Sequence, residues 1–146
     1  FENIGMAKIA KSAQQAKDLG YLRASDRITM NREHVLANAK SYLLELAEDY
    51  SPPKPHTYHL PGPSGRSALA MALSDLAIAG HATPHDITVI GELAKVLTGG
   101  ECDHTEELSE EDILALERKA ISTLSRNEFS LARMEHMLSK GKPLRN

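Results

Sequence analysis

The stretch N-R-E-H-V-L-A-N-A-K-S-Y-L-L-E-L-A-E-D-Y, Asn31 to Tyr50, sets the class of this protein. Val35, Ala39, Tyr42, Leu46 and Tyr50 fall on one stripe at helical spacing, with Leu36 and Leu43 beside it. Arg32, Lys40, Glu45 and Glu48 take the opposite face, so the segment reads as an amphipathic helix. Asn31 is suited to cap it through a side-chain oxygen. Ser51-Pro52-Pro53-Lys54-Pro55 ends it, because proline lacks the amide donor and turns the preceding residue away from helix.

The composition points the same way. Leu, Ala, Ile and Met dominate the apolar set, with two Phe, four Tyr and no Trp. Such residues favour helix, whereas β-branched and aromatic residues favour strand. The expected fold is all-α, with six or seven helices in two groups joined by a proline-rich strap. A chain of 146 residues has the size of one ordinary domain. Phe1 starts it without initiator Met, cap or targeting segment, and Phe1–Lys8 reads as an apolar helix face lacking its complement. These features predict a fragment of a larger protein.

On either side of the opening helix the punctuation is clear. Ser12–Gln15 has the form of a capping box, with Gln15 reaching back to the Ser12 amide, and Gly20 stands where a left-handed cap ends a short helix. Asp26–Met30 is briefly strand-like. Ser51–Gly65 holds five of the seven prolines and reads as an extended strap or linker. Arg66–Ala79 is helical, with Leu69, Leu73 and Leu76 on one face. Thr83-Pro84-His85-Asp86 opens a further helix with stripe Ile87, Ile90, Leu93, Ala94 and Leu97, stopped by Gly99-Gly100. Gly91 inside this stripe costs about 1 kcal/mol against Ala, which predicts close approach of another helix. Ser109–Asp112 and Ser125–Glu128 read as the caps of two last helices. The first buries Ile113, Leu116, Ala120 and Leu124; the second buries Leu131, Met134 and Leu138. The resulting division is 1–50, a linker 51–65, and 66–146.

Charge and motif content exclude several chemistries. A formal charge of −3 argues against broad nucleic-acid binding. No apolar run approaches the roughly 20 residues that span a bilayer. The lone Cys102 permits no internal disulfide and suits a reducing cytoplasm. Its acidic neighbours Glu101, Asp103, Glu106 and Glu107 oppose a reactive thiolate. His81 and His85 flank Thr83-Pro84 and cannot share a helix face. His56 and His59 lie in the strap without a carboxylate in pattern. Cys102-Asp103-His104 is a partial ligand set with nothing to complete it, so no metal site is expected. Gly62-Pro63-Ser64-Gly65-Arg66-Ser67 resembles a phosphate loop but lacks its G-K-[ST] ending. No G-x-G-x-x-G is present, and no catalytic or cofactor-binding residue is assigned. The basic tail through Lys140, Lys142 and Arg145 suits a helix C-terminus; its functional alternative is contact with a phosphate-bearing ligand.

Longer motifs carry a family resemblance. S-A-Q-Q-A-K-D-L-G-Y-L at Ser12–Leu22, D-R-I-T-M-N at Asp26–Asn31 and N-A-K-S-Y-L-L-E-L-A at Asn38–Ala47 resemble the end of the crotonase (enoyl-CoA hydratase/isomerase) fold. H-A-T-P-H-D at His81–Asp86, V-L-T-G-G at Val96–Gly100, D-H-T-E at Asp103–Glu106 and E-H-M-L-S-K-G-K-P-L-R-N at Glu135–Asn146 are similar to the C-terminus of bacterial 3-hydroxyacyl-CoA dehydrogenases of fatty-acid β-oxidation. The family's nicotinamide-binding glycines, dehydrogenase His/Glu pair and crotonase acid/base residues have no matching positions here. The resemblance thus implies a non-catalytic helical part that walls an acyl-CoA pocket and packs between domains or subunits. It implies NAD in the parent and none in this chain, with 3-hydroxyacyl-CoA oxidation and an added enoyl-CoA hydratase activity as the parent's chemistry. Implied partners are the upstream domains, acyl-CoA and a thiolase subunit. Lys140 and Lys142 match lysines near bound CoA in related crotonases, and with Arg145 they are the candidate CoA-phosphate contacts. A different class remains open beside it, a stand-alone helical protein-interaction module.

Overall fold

The computed structural model describes residues 1–146 and is all-α apart from one two-stranded ladder. The α-helices are α1 (Glu2–Gly5), α2 (Ala13–Asp18), α3 (Val35–Ala47), α4 (Gly62–Ile78), α5 (Pro84–Leu97), α6 (Glu110–Leu124) and α7 (Glu128–Lys140). Strands β1 (Thr57–His59) and β2 (Glu107–Ser109) pair antiparallel, with Tyr58 opposite Leu108. No helix is long and apolar enough to cross a membrane. The chain divides into two compact units: Ala7–Lys54, and Phe1–Met6 together with Pro55–Asn146.

In the larger unit, α5 is the central element and packs against both α4 and α6. Ile90 is 2% exposed, and Leu73, Ala94, Val96, Leu108 and Ala120 complete a small core. Burying a side chain the size of Ile90 contributes about 1.5–3 kcal/mol. The caps expected at Thr83 and Ser109 are both formed, and each is a full capping box, the hydroxyl oxygen accepting the amide three residues on while that residue's carboxylate accepts back. Helix α5 ends at Leu97, and Gly99 and Gly100 follow it at positive φ.

The structure differs from the expectation at several points. The segment Phe1–Lys8 forms only the single turn α1, and Ala7 leaves it at φ 48°. Asp26–Met30 forms no strand. The ladder instead uses Thr57–His59 from the strap, where Leu108 on the partner strand turns into the core. Helix α4 begins at Gly62, inside the strap, because its first turn leans on the turn after α5: the Gly62 amide donates to the Thr98 carbonyl at 2.8 Å. Asn127, not Ser125, caps α7, its side-chain oxygen accepting from the Phe129 and Ser130 amides. That cap sets the helix's rotation. Ser130 and Arg133 face α5, while Leu131, Met134 and Leu138 point outward, Leu138 at 89% exposure.

The smaller unit, Ala7–Lys54, contains no buried residue. Ser12 Oγ accepts from the Gln15 amide as expected, but Gln15 Oε1 accepts from the Lys11 amide rather than that of Ser12. Asn31 caps a 3₁₀ turn, Arg32–His34, that leads into α3. Arg27, in the loop before it, links that loop to α3. Its guanidinium forms a two-pronged pair with Glu45 (2.6 and 2.9 Å) and lies over the Tyr42 ring, 3.9 Å from the centroid. Apolar residues on more than one face of α3 remain uncovered: Leu36 (82% exposed), Leu43, Leu44 and Leu46.

Candidate functional site

Polar groups converge most densely where the start of α5 meets α7 and the C-terminal tail. Asp86, third residue of α5, accepts from the Thr83 amide through Oδ2 at 2.9 Å. Its Oδ1 lies 2.8 Å from Arg133 Nη2 on α7. Arg133 also donates to Thr83 Oγ1, to the Asn146 side-chain oxygen (2.7 Å) and to the Asn146 carbonyl. Arg145 donates to the His81 carbonyl at 2.9 Å and reaches Asp86 Oδ2 at 3.5 Å. Asn146 donates to the Phe129 carbonyl. Burial pushes the Asp86 carboxyl upward, but the Thr83 amide and hydroxyl and the Arg133 guanidinium outweigh it and hold its pKa at about 2.

His85 Nε2 and Ser130 Oγ share a hydrogen bond at 2.9 Å beside this network. A serine on an imidazole is the beginning of a nucleophile–base arrangement. Two features make it a structural clasp instead. His85 is 4% and Ser130 6% exposed, so neither presents an atom to a substrate. Asp86 spends its oxygens on Thr83 and Arg133 rather than orienting the ring. Burial, reinforced by Arg133, holds His85 below its ordinary pKa, so the ring is neutral.

Of the tail cations read from the sequence, Arg145 is committed to Asp86 and His81. Lys140 ends α7, and the Lys142 carbonyl accepts from His136 Nδ1 at 2.8 Å; neither ammonium group forms an ion pair. The other sequence candidates have local roles. The Cys102 thiol is buried and points to the Leu60 and Thr98 carbonyls. Asp103 accepts from the Thr105 amide and hydroxyl. Arg66, in the loop-like Gly62–Ser67 segment, pairs with Glu101 at 2.6 Å and donates to the Gly100 carbonyl.

Three recesses lie within single units. One of about 700 Å³ lies in the smaller unit, between the Asp26–Thr29 loop and α3, under Arg27 and Tyr42. A second of about 450 Å³ is a groove between α4 and α5 lined by Leu69, Leu73, Ile87 and Gly91. A third, of about 260 Å³, adjoins it, sharing Arg66, Glu92 and Lys95 and adding Glu101 and Lys119. Gly91 was expected to admit a neighbouring helix. A Cβ built there meets nothing within 4 Å, so no helix of this chain approaches it. Gly91 was the one sequence signal for this groove.

Comparison with known proteins adds one firm relationship. The chain resembles a probable 3-hydroxyacyl-CoA dehydrogenase of Bacillus subtilis (strain 168). The two are 39% identical over 147 residues, an alignment that takes in all of this chain. The chain spans 19% of that protein's length. No family model and no solved structure matches it. The ladder is antiparallel and two-stranded, and the sequence holds no G-x-G-x-x-G.

Proposed function

We propose that this chain is a non-catalytic helical part of a longer polypeptide of the 3-hydroxyacyl-CoA dehydrogenase kind. Its task there is to pack between domains or subunits and to wall an acyl-CoA pocket. The observation that carries this is α3. An amphipathic helix with Leu36, Leu43, Leu44 and Leu46 exposed, in a unit with no buried residue, is finished only by burial against another surface. The relative, of which this chain spans 19%, is long enough to offer such a surface.

On this reading residues 1–50 are the closing helices of a crotonase-like part, 51–65 the connection, and 66–146 a C-terminal helical region. NAD would be held by other residues of the longer polypeptide, and oxidation of 3-hydroxyacyl-CoA, with enoyl-CoA hydration, would take place there. A thiolase subunit is a further partner, and the cytoplasm the compartment. Lys140 and Lys142, whose ammonium groups are unpaired, are the better candidates for CoA phosphate. Arg145 would have to leave Asp86 to join them.

Two measurements test the reading. Hydrogen exchange should show α3 amides unprotected in this chain and protected in the longer polypeptide. NADH absorbance should rise with 3-hydroxyacyl-CoA and NAD for the longer polypeptide and stay flat for this chain. Equal protection of α3 in both, or turnover by this chain at enzyme-like rates, would overturn it. Cooperative melting of a defined monomer or oligomer, with α3 protected, would favour the stand-alone interaction module.

A further inference from the structure

We infer that the smaller unit is an insert carried by the larger one, anchored through α1, and that it turns as one body on two hinges, Ala7 and the proline-rich residues 51–55. The anchor is the single turn α1. Phe1–Met6 groups by packing with Pro55–Asn146 and not with the residues that follow it in the chain. Its seat is α5. A Cβ added at Gly5 would lie 3.3 Å from Ile90 Cγ2, and its three nearest atoms all belong to the Ile90 side chain. The backbone of α1 therefore rests directly on Ile90, an approach that a missing Cβ permits. Ile90 is 2% exposed, the least accessible apolar residue of the chain. The complement that the first residues lack in the local sequence is thus supplied by the core of the larger unit.

The chain passes from one unit to the other across one residue. Met6 still belongs to α1, its amide donating to the Glu2 carbonyl at 3.0 Å. Lys8 is already held by the smaller unit, its carbonyl accepting from the Tyr21 hydroxyl at 2.7 Å. Between them stands Ala7, at φ 48° the only residue other than glycine with positive φ. Residues with a side chain seldom adopt this backbone. Ala7 is exposed, so packing over it does not fix the turn; the ties on either side do. The return crossing is residues 51–55, exposed throughout and outside every helix and strand. Pro52, Pro53 and Pro55 have no amide with which to bind either unit. Proline-rich segments are stiff, extended spacers, so this one swings at its ends. Hinges are a few loop residues of this kind that absorb the change in backbone angles. Ala7–Lys54 is itself a compact unit, so what moves on them is one body. This freedom would let α3 reach a surface that buries it, but the insertion holds whether or not α3 is buried elsewhere.

Residual dipolar couplings of the full 146-residue chain, weakly aligned, test both parts of the inference. The couplings of α2 and α3 should fit one alignment tensor and those of α4 to α7 another. Residues 2–6 should fit the second, although they adjoin α2 in sequence. Ala7→Gly, which loosens one hinge, should widen the difference between the tensors. A single tensor for all helices would overturn the inference, and so would residues 2–6 fitting with α2 and α3 or averaging to zero. Couplings near zero throughout α2 and α3 would also overturn it, because no body would then be there to turn. Hydrogen exchange checks the anchor separately. Gly5→Val, which pushes α1 off Ile90, should speed exchange of the α5 amides around Ile90 by about tenfold or more, while Ala7→Gly leaves them as they are. Unchanged α5 exchange in Gly5→Val would show that α1 is not an anchor. None of these outcomes bears on turnover or on α3 in a longer polypeptide, so the proposed function stands or falls separately.

Discussion

Arg133 of α7 closes on Asp86 of α5 at 2.8 Å, and the same guanidinium holds both the side chain and the carbonyl of Asn146. One residue therefore joins a helix start, a second helix and the chain's last residue. Both partners are largely removed from solvent, so losing one strands the other's charge. Arg133→Ala and Asp86→Ala should each cost about 1–3 kcal/mol. The double variant should cost less than the sum, with a coupling of about 1 kcal/mol or more. Urea midpoints of the four proteins measure this, and strictly additive losses would show that the pair is not a unit. Amides of Lys142–Asn146 should lose exchange protection in both single variants.

Acid should act on this clasp in two steps. His85 is held below its ordinary pKa by burial and by Arg133. As pH falls through the ordinary histidine value of about 6.5, the unfolded chain takes a proton that the folded chain refuses, so stability declines. Asp86 is held at about 2 against an ordinary 3.8. Its contribution is complete above 3.8 and is lost as pH falls toward about 2. His85→Gln should remove the upper step and keep the lower one. The slope of unfolding free energy against pH between about pH 7 and 5, compared with wild type, reads this directly. An unchanged slope would mean that His85 titrates alike in both states.

The clasp also marks where sequence reading succeeds. The caps at Thr83 and Ser109, the burial of Ile90 and Ala94 on α5 and the all-helical class follow from local chemistry, because each depends on residues within one or two turns; Ile87, read into the same stripe, is 39% exposed. What sequence does not carry is long-range choice. The stripe Leu131, Met134 and Leu138 is a sound amphipathic face, yet Arg133 and Ser130 turn toward α5. Their partners, Asp86 and His85, lie more than forty residues away. The strand at Thr57–His59 was hidden for the same reason: its hydrogen bonds are met only at Glu107–Ser109. Of the tail cations, Lys140 and Lys142 sit as helix-end residues do. The engagement of Arg145 with Asp86 has no local sequence sign.

Two glycines should respond in opposite directions. At Gly91 an added Cβ meets nothing within 4 Å, so Gly91→Ala should raise stability by about 1 kcal/mol through helix propensity alone. At Gly62 the backbone has φ +56°, and a Cβ would lie 2.1 Å from the Cys102 carbonyl oxygen. Gly62→Ala must open the junction between α4 and the turn after α5, at a cost of about 2 kcal/mol or more. Thermal melting of the two variants beside wild type decides this. A destabilised Gly91→Ala would mean that the groove is already filled in solution, within the chain or by another molecule.

Helix α3 provides the sharpest separation between this chain and a longer polypeptide. Leu36 and Leu43 are mostly exposed and have little packing to lose. In the 146-residue chain, Leu36→Glu and Leu43→Glu should change stability by no more than about 0.5 kcal/mol, as surface substitutions do. Each should also lower any aggregation, because it breaks an exposed apolar surface. If α3 packs in a longer polypeptide as proposed, the same glutamates are driven into a buried contact, where an unpaired charge is expensive. There the loss should reach about 2 kcal/mol or more, with NAD-dependent turnover falling as the domains part. Denaturant titrations of both lengths with both variants make the comparison. If the two lengths tolerate the substitutions equally, the leucines of α3 face solvent in both, and packing against the rest of the polypeptide is not what they are for.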